Sequence, residues 1–236
     1  MGFIVVVLWW FILSLPAIRN LQQHYYVPPS PNPVVEGFAR LWKTFKNIRK
    51  HPSVFLFLTA YFFYIDGVGT IITMSTAYGR DLGFGIAMLI TVLLVIQVVA
   101  FPCTLLYGRM AARFKTRTLL MTGIIIYCLI TFLAFLLPFI EGDLARHVLF
   151  WTIALLVASS MGGIQALSRS YFSKLIPPEN SAEFFGFYNV FGKFAAIAGP
   201  ALLGIVGRMT GDTRWGVLSI LVLFVIGAWL LMKVED

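Results

Sequence analysis

Seven stretches of this chain are too apolar and too long to fold as anything other than lipid-embedded helices. They run Gly2–Ile18, Ser53–Tyr78, Leu82–Tyr107, Arg117–Ile140, His147–Ser168, Phe184–Val206 and Trp215–Met232. A helix needs about 20 mostly apolar residues to cross the hydrocarbon of a bilayer. Barrel strands do not fit, because the runs are too long and do not alternate in polarity. Pro102, Pro138 and Pro200 fall within the runs or near their ends. Spanning helices tolerate proline where neighbours satisfy the freed backbone groups. The expected fold is therefore an all-α membrane protein, with the lipid bilayer as its first partner.

Composition closes off the other classes. Only 12% of the residues are charged and 59% are apolar, whereas a soluble domain carries about 25% charged residues. The net charge of +8 does not mark a nucleic-acid face, because the cations lie in short connections between apolar runs rather than on one water-facing patch. Cys103 and Cys128 both sit inside apolar runs, so no disulfide framework is implied. His24, His51 and His147 are scattered over separate connections. No metal site, cofactor or catalytic motif is expected, and the chain does not read as an enzyme.

Orientation follows from the lysines and arginines. Arg19, Arg40, Lys43, Lys46, Arg49 and Lys50 fall in the first connection. Arg109, Arg113, Lys115 and Arg117 fall in the third, Arg169 and Lys174 in the fifth, and Lys233 in the tail. These thirteen face four on the other side: Arg80, Arg146, Arg208 and Arg214. The first, third and fifth connections are expected in the cytoplasm. Met1 then starts outside, which is expected only if further spans precede it in the full protein.

Residues 19–52 form the one long connection. Pro28, Pro29, Pro31 and Pro33 read as extended linker. After them Val35, Phe38, Leu41, Trp42, Phe45 and Ile48 recur at helical spacing, with Arg40, Lys43, Lys46 and Lys50 opposite. The pattern predicts an amphipathic basic helix on the anionic inner leaflet.

Two ionisable residues lie mid-span, Asp66 and Lys193. A charge at the bilayer centre costs roughly 2.5–3.5 kcal/mol on insertion scales, so each needs an explanation. Thr59, Asp66, Thr70 and Thr73 share one helical face, with Gly67 and Gly69 beside them. Gly186, Asn189, Lys193, Ala196 and Pro200 share another. Either residue can serve a substrate or a proton, or the two can neutralise each other. Gln97, Ser159, Ser160 and Gln165 are weaker polar candidates, and Tyr61, Tyr64 and Tyr188 are expected mainly as packing. Ser159, Ser160, Gly162, Gly163 and Ala166 predict a close helix crossing.

Two tracts carry a resemblance. Gly108-Arg109-Met110-Ala111-Ala112-Arg113-Phe114-Lys115-Thr116-Arg117 is similar to a loop of the major facilitator superfamily at Gly108, Ala111, Arg113 and Arg117. It departs from that pattern at Ala112 and Lys115, where the pattern has aspartate and glycine. Ala166-Leu167-Ser168-Arg169-Ser170-Tyr171-Phe172, then Leu175-Ile176-Pro177-Pro178, Glu183-Phe184-Phe185-Gly186-Phe187-Tyr188, Lys193 and Gly199-Pro200 resemble its vacuole-effluxer-like branch. So does Tyr64-Ile65-Asp66-Gly67.

The resemblance implies that residues 1–18 are a sixth helix, 19–52 an inter-bundle linker, and 53–236 the C-terminal six-helix bundle. It implies transport of a small-molecule substrate, amino acids among the options, by alternating access in a bacterial cell membrane. A separate N-terminal half or a second copy would complete the path. The substrate or proton pathway is expected at Asp66, Thr70, Thr73, Gln165, Asn189 and Lys193. A cytoplasmic gate is expected at Gly108, Arg109, Arg113, Arg117 and Arg169, with the arginines bonding helix C-terminal carbonyls. Two alternatives stay open: a seven-helix receptor or rhodopsin, and a half-bundle inactive on its own.

Overall fold

The computed structural model describes residues 2–20, 32, 35–37, 39, 42, 46 and 51–234. The chain divides into two compact units, Met1–Ala39 and Arg40–Asp236. The first unit holds α1 (Gly2–Asn20), an apolar helix with Pro16 inside it and Arg19 in its last turn. Of the expected amphipathic helix, Val35, Glu36, Gly37, Ala39, Trp42 and Lys46 are helical. Phe38, Arg40, Leu41, Lys43, Phe45, Ile48 and Lys50 lie outside the described residues.

The second unit is a helical bundle. Its elements are α2 (Pro52–Asp81), α3 (Ile86–Ala111), α4 (Thr116–Leu136), α5 (Asp143–Leu175), α6 (Ser181–Ala195), α7 (Ala198–Thr210) and α8 (Thr213–Met232). With Ser181–Thr210 taken as one span, seven described helices, α1 included, are long and apolar enough to cross a membrane. The all-α membrane expectation holds.

Helix α2 is the hub. It packs on α8, α6, α5 and α7, while α5 also packs on α3 and α4, and α8 on α7 and α4. Phe57, Tyr64, Tyr127, Phe172 and Phe224 are fully buried between these helices. Lipid tails are as apolar as leucine, so burial alone does not hold such helices together; close packing and hydrogen bonds do. Glycines supply the closeness. A Cβ added at Gly227 of α8 would stand 2.9 Å from Tyr64 Cβ, 3.0 Å from Tyr64 N and 3.2 Å from Ala60 O on α2. At Gly162 and Gly163 of α5 an added Cβ would overlap Thr104 and the Tyr107 ring of α3. The small-residue cluster is thus a close crossing, as its composition predicts.

Two departures from the expected spans bear on the site. Helix α5 continues past Ser168 to Leu175, so Arg169 and Lys174 stand on a helix rather than in a loop. Leu167, Ser168, Tyr171 and Phe172 keep one face buried through that extension, which compensates the polar residues on the other. The helix ends at Ile176, which is extended because Pro177 follows it.

The expected rod Phe184–Val206 is broken at Ala196–Ile197 into α6 and α7. Pro200 is the physical cause. It has no N–H for the carbonyl of Ala196, and its ring crowds that carbonyl. Pro200 itself becomes the third residue of α7, where a missing donor costs nothing.

Side chains tie the bundle at both ends. At the basic end Arg117 donates to the carbonyl of Met232, the last residue of α8. Lys174 Nζ donates to Thr116 Oγ1 at 3.1 Å, joining α5 to α4. Lys233 Nζ lies 3.5 Å from the centre of the Trp229 ring. At the opposite end Arg146 donates to Leu82 O at 2.7 Å, and Tyr78 donates to Ala134 O at 2.8 Å. Asp212 caps α8 by accepting from the Arg214 backbone N–H at 2.9 Å.

Candidate functional site

Helices α2, α5 and α6 leave a groove between them. It has a volume of about 920 Å³ and is open to its surroundings. Ile65, Val68 and Gly69 of α2 and Phe185 of α6 form an apolar wall. The Tyr61 and Tyr188 rings stack across it with centroids 4.3 Å apart. Gln165 and Arg169 project from α5, and Asn189 from α6. Arg169 Nη2 donates to Asn189 Oδ1 at 3.2 Å. Spacing places these groups together: Gln165 and Arg169 are four residues apart on α5, so they share a face. Just behind the groove, the Tyr64 hydroxyl meets Ser168 Oγ at 2.7 Å, and Ser168 Oγ also donates to Ile164 O at 2.6 Å. That buried chain fastens α2 to α5 along the groove floor.

Asp66 does not line the groove. It faces the other way, 1% exposed, toward the start of α7. A Cβ at Gly199 would overlap Thr70 Oγ1 and stand 2.9 Å from Asp66 Oδ1; only glycine leaves room there. Neither Asp66 oxygen nor Thr70 Oγ1 has a hydrogen-bond partner among the described residues. The break made by Pro200 therefore matters electrostatically. It turns mid-membrane backbone into a helix N-terminus, whose unpaired N–H groups and dipole favour a negative charge. The carboxylate of Asp66 stands beside that terminus.

Known proteins resemble the chain along nearly all of its length. A family model described as "Vacuole effluxer Atg22 like" matches residues 1–236. The chain belongs to the vacuole effluxer Atg22-like family. It is 49% identical over 236 residues to YxiO of Bacillus subtilis (strain 168), described as an uncharacterized MFS-type transporter, covering all of this chain and 54% of YxiO. It is 27% identical over 239 residues to Autophagy-related protein 22 of Botryotinia fuckeliana (strain B05.10), covering 91% of this chain and 40% of that protein. It is 29% identical over 252 residues to Autophagy-related protein 22-1 of Aspergillus niger, with 97% and 40% covered. The chain spans about half the length of these relatives or less. No solved structure matches it. As the resemblance in its motifs implies, this is an integral membrane protein of a transporter family.

Within this Atg22-like bundle the expected site residues separate into groups. Gln165 and Asn189 meet at the groove with Arg169, which was expected at the gate. Asp66 and Thr70 form the buried pair behind it. Thr73 is exposed, and its hydroxyl is occupied by Gly69 O at 2.8 Å. Lys193 is exposed on α6. It forms no ion pair with Asp66, which makes no hydrogen bond of ordinary geometry among the described residues.

Among the cations of the expected gate, Arg117 bonds the carbonyl of Met232 at the end of α8, within the same bundle. Arg109 and Arg113 are exposed, and Gly108 has nothing within 4 Å of an added Cβ. Tyr61 and Tyr188, expected mainly as packing with a cavity wall as the lesser option, stack on each other and also line the groove. Their spacing relative to Gln165 and Asn189 carried no sign of it, because the contact joins three helices.

Proposed function

We propose that this chain is the C-terminal half of a secondary transporter that moves a small solute across the membrane by alternating access. The observation that carries the reading is the one-sided groove of α2, α5 and α6, whose polar groups face away from the bundle core. A transport path built between two bundles needs such a face on each. In this reading α1 is the sixth helix, residues 19–52 link the bundles, and the remaining length found in the relatives supplies the opposite wall. The basic end faces the cytoplasm of a bacterial cell. Amino acids are among the solutes that the groove can take.

Asp66 is the residue for a coupled proton. A buried carboxylate at a helix N-terminus is poised to exist in either protonation state, and Thr70 is its hydroxyl neighbour. Sodium suits the place less well. The contact with Gly199 is too tight for an ion that takes several oxygen ligands, and a helix N-terminus repels cations.

The test is exchange of labelled amino acids and other small solutes in proteoliposomes holding the full two-half protein. Exchange is expected with both halves and not with this chain alone. Asp66→Asn is expected to fold normally and to abolish the dependence of transport on a pH gradient. Absence of any exchange by a folded two-half protein would overturn the transport reading. Undiminished gradient dependence in the Asn variant would overturn the role of Asp66.

A further inference from the structure

We propose that Arg169 is the anion-binding residue of the groove and receives the carboxylate of a substrate whose apolar body lies along Tyr61 and Tyr188. This rests on the transport reading above and assigns a substrate-contacting role to a residue otherwise expected at the gate.

Among the described residues lining the groove, Arg169 is the one that bears a charge, and none is an aspartate or glutamate. A guanidinium has five N–H donors in a fixed fork. The hydrogen bond to Asn189 Oδ1 engages one of them and fixes the orientation of the head. Arg169 is exposed, which leaves the other donors for a planar two-oxygen acceptor. A cation held beside apolar walls within membrane helices is costly unless an anion or water meets it.

Arg169 lies six residues before Leu175, the end of α5, or about 9 Å along the helix. It is flanked by the Tyr61 and Tyr188 stack rather than by the loops. Arg109 and Arg113, the other gate candidates, do not line the groove. An acidic residue of the opposite half is the competing partner for Arg169, and the experiment distinguishes the two.

The probes are N-acetylleucine and N-acetylleucinamide, which share an apolar body and differ in the carboxylate alone. Binding of each to the purified full transporter in detergent is measured by titration calorimetry, for wild type, Arg169→Gln and Arg169→Lys. Wild type is expected to bind the acid at least about tenfold more tightly than the amide, the scale of a charge-assisted hydrogen bond. Arg169→Gln should bring that ratio close to one. Arg169→Lys should keep only part of it, since a point charge replaces the fork. If the Gln variant does not fold, the fall in ratio for the Lys variant decides.

Two results overturn the proposal: a wild type that does not distinguish the pair, or an Arg169 variant that keeps the ratio. A gate or an inter-half ion pair would produce the second, with altered turnover and unaltered preference. Proteoliposomes that exchange no solute while binding stays carboxylate-selective would sink the transport reading and leave this one standing.

Discussion

Replacing Gly227 with alanine tests how α2 and α8 are held together. The new Cβ would stand 2.9 Å from Tyr64 Cβ, 3.0 Å from Tyr64 N and 3.2 Å from Ala60 O. Two of these three atoms belong to backbone, so no rotamer change relieves them. Ordinary contact begins at about 3.5 Å, so the two helices must part by roughly half an ångström along their crossing. Insertions into a packed core of this kind cost about 1–3 kcal/mol. Gly204 is the control, since a Cβ there meets nothing within 4 Å. Gly204→Ala should be neutral or stabilising by up to about 1 kcal/mol, through the lower backbone entropy of alanine. Both variants are unfolded by SDS titration from mild detergent, followed by helix circular dichroism. Gly227→Ala should unfold at clearly lower denaturant than wild type, and Gly204→Ala should not. Equal midpoints for the two would refute the view that glycine-mediated closeness, rather than apolar area, holds this pair of helices.

Three further outcomes follow from the same physical picture. Tyr64→Phe removes the 2.7 Å contact with Ser168 but leaves Ser168 bonded to Ile164 O, so it should cost about 1 kcal/mol in the same titration. Pro200→Ala restores the donor for Ala196 O; it should join α6 and α7 into one helix, raise or preserve the unfolding midpoint, and reduce exchange in proteoliposomes of the full protein. Asp212 lies outside the spans, and its hydrogen bonds from Arg214 hold its carboxyl below the usual carboxylate range. A lowered folded pKa means that the cap of α8 stabilises above the ordinary value and is lost as pH falls through the folded one. Thermal unfolding of wild type in detergent should therefore fall more steeply on acidification than that of Asp212→Asn.

Much of the bundle was legible because hydrocarbon leaves few choices to a polar backbone. Every apolar run became helical, the sixth as two helices, and Gly162 with Gly163 marked a close crossing by composition alone. The α6–α7 break was present in the sequence but misread. Pro200 was taken as a tolerated proline, when the decisive question was which carbonyl it stranded. Ala196, four residues earlier, is the answer. The length of α5 was missed because Arg169 and Lys174 were counted as loop cations, although Tyr171 and Phe172 continue the buried face beyond them.

The groove was half legible. Asp66 and Thr70 share a face, as periodicity requires. Which face of α2 turns to the groove is set instead by Ile65, Val68 and Gly69, residues with no polar signature. Lys193 drew attention through its charge, while the groove cation proved to be Arg169 on a neighbouring helix.

The open side of the groove also sets how this chain must live in a membrane. Gln165, Arg169 and Asn189 would meet acyl chains if nothing lay against them, and hydrocarbon solvates none of the three. An isolated copy is thus under constant pressure to hide one wet flank.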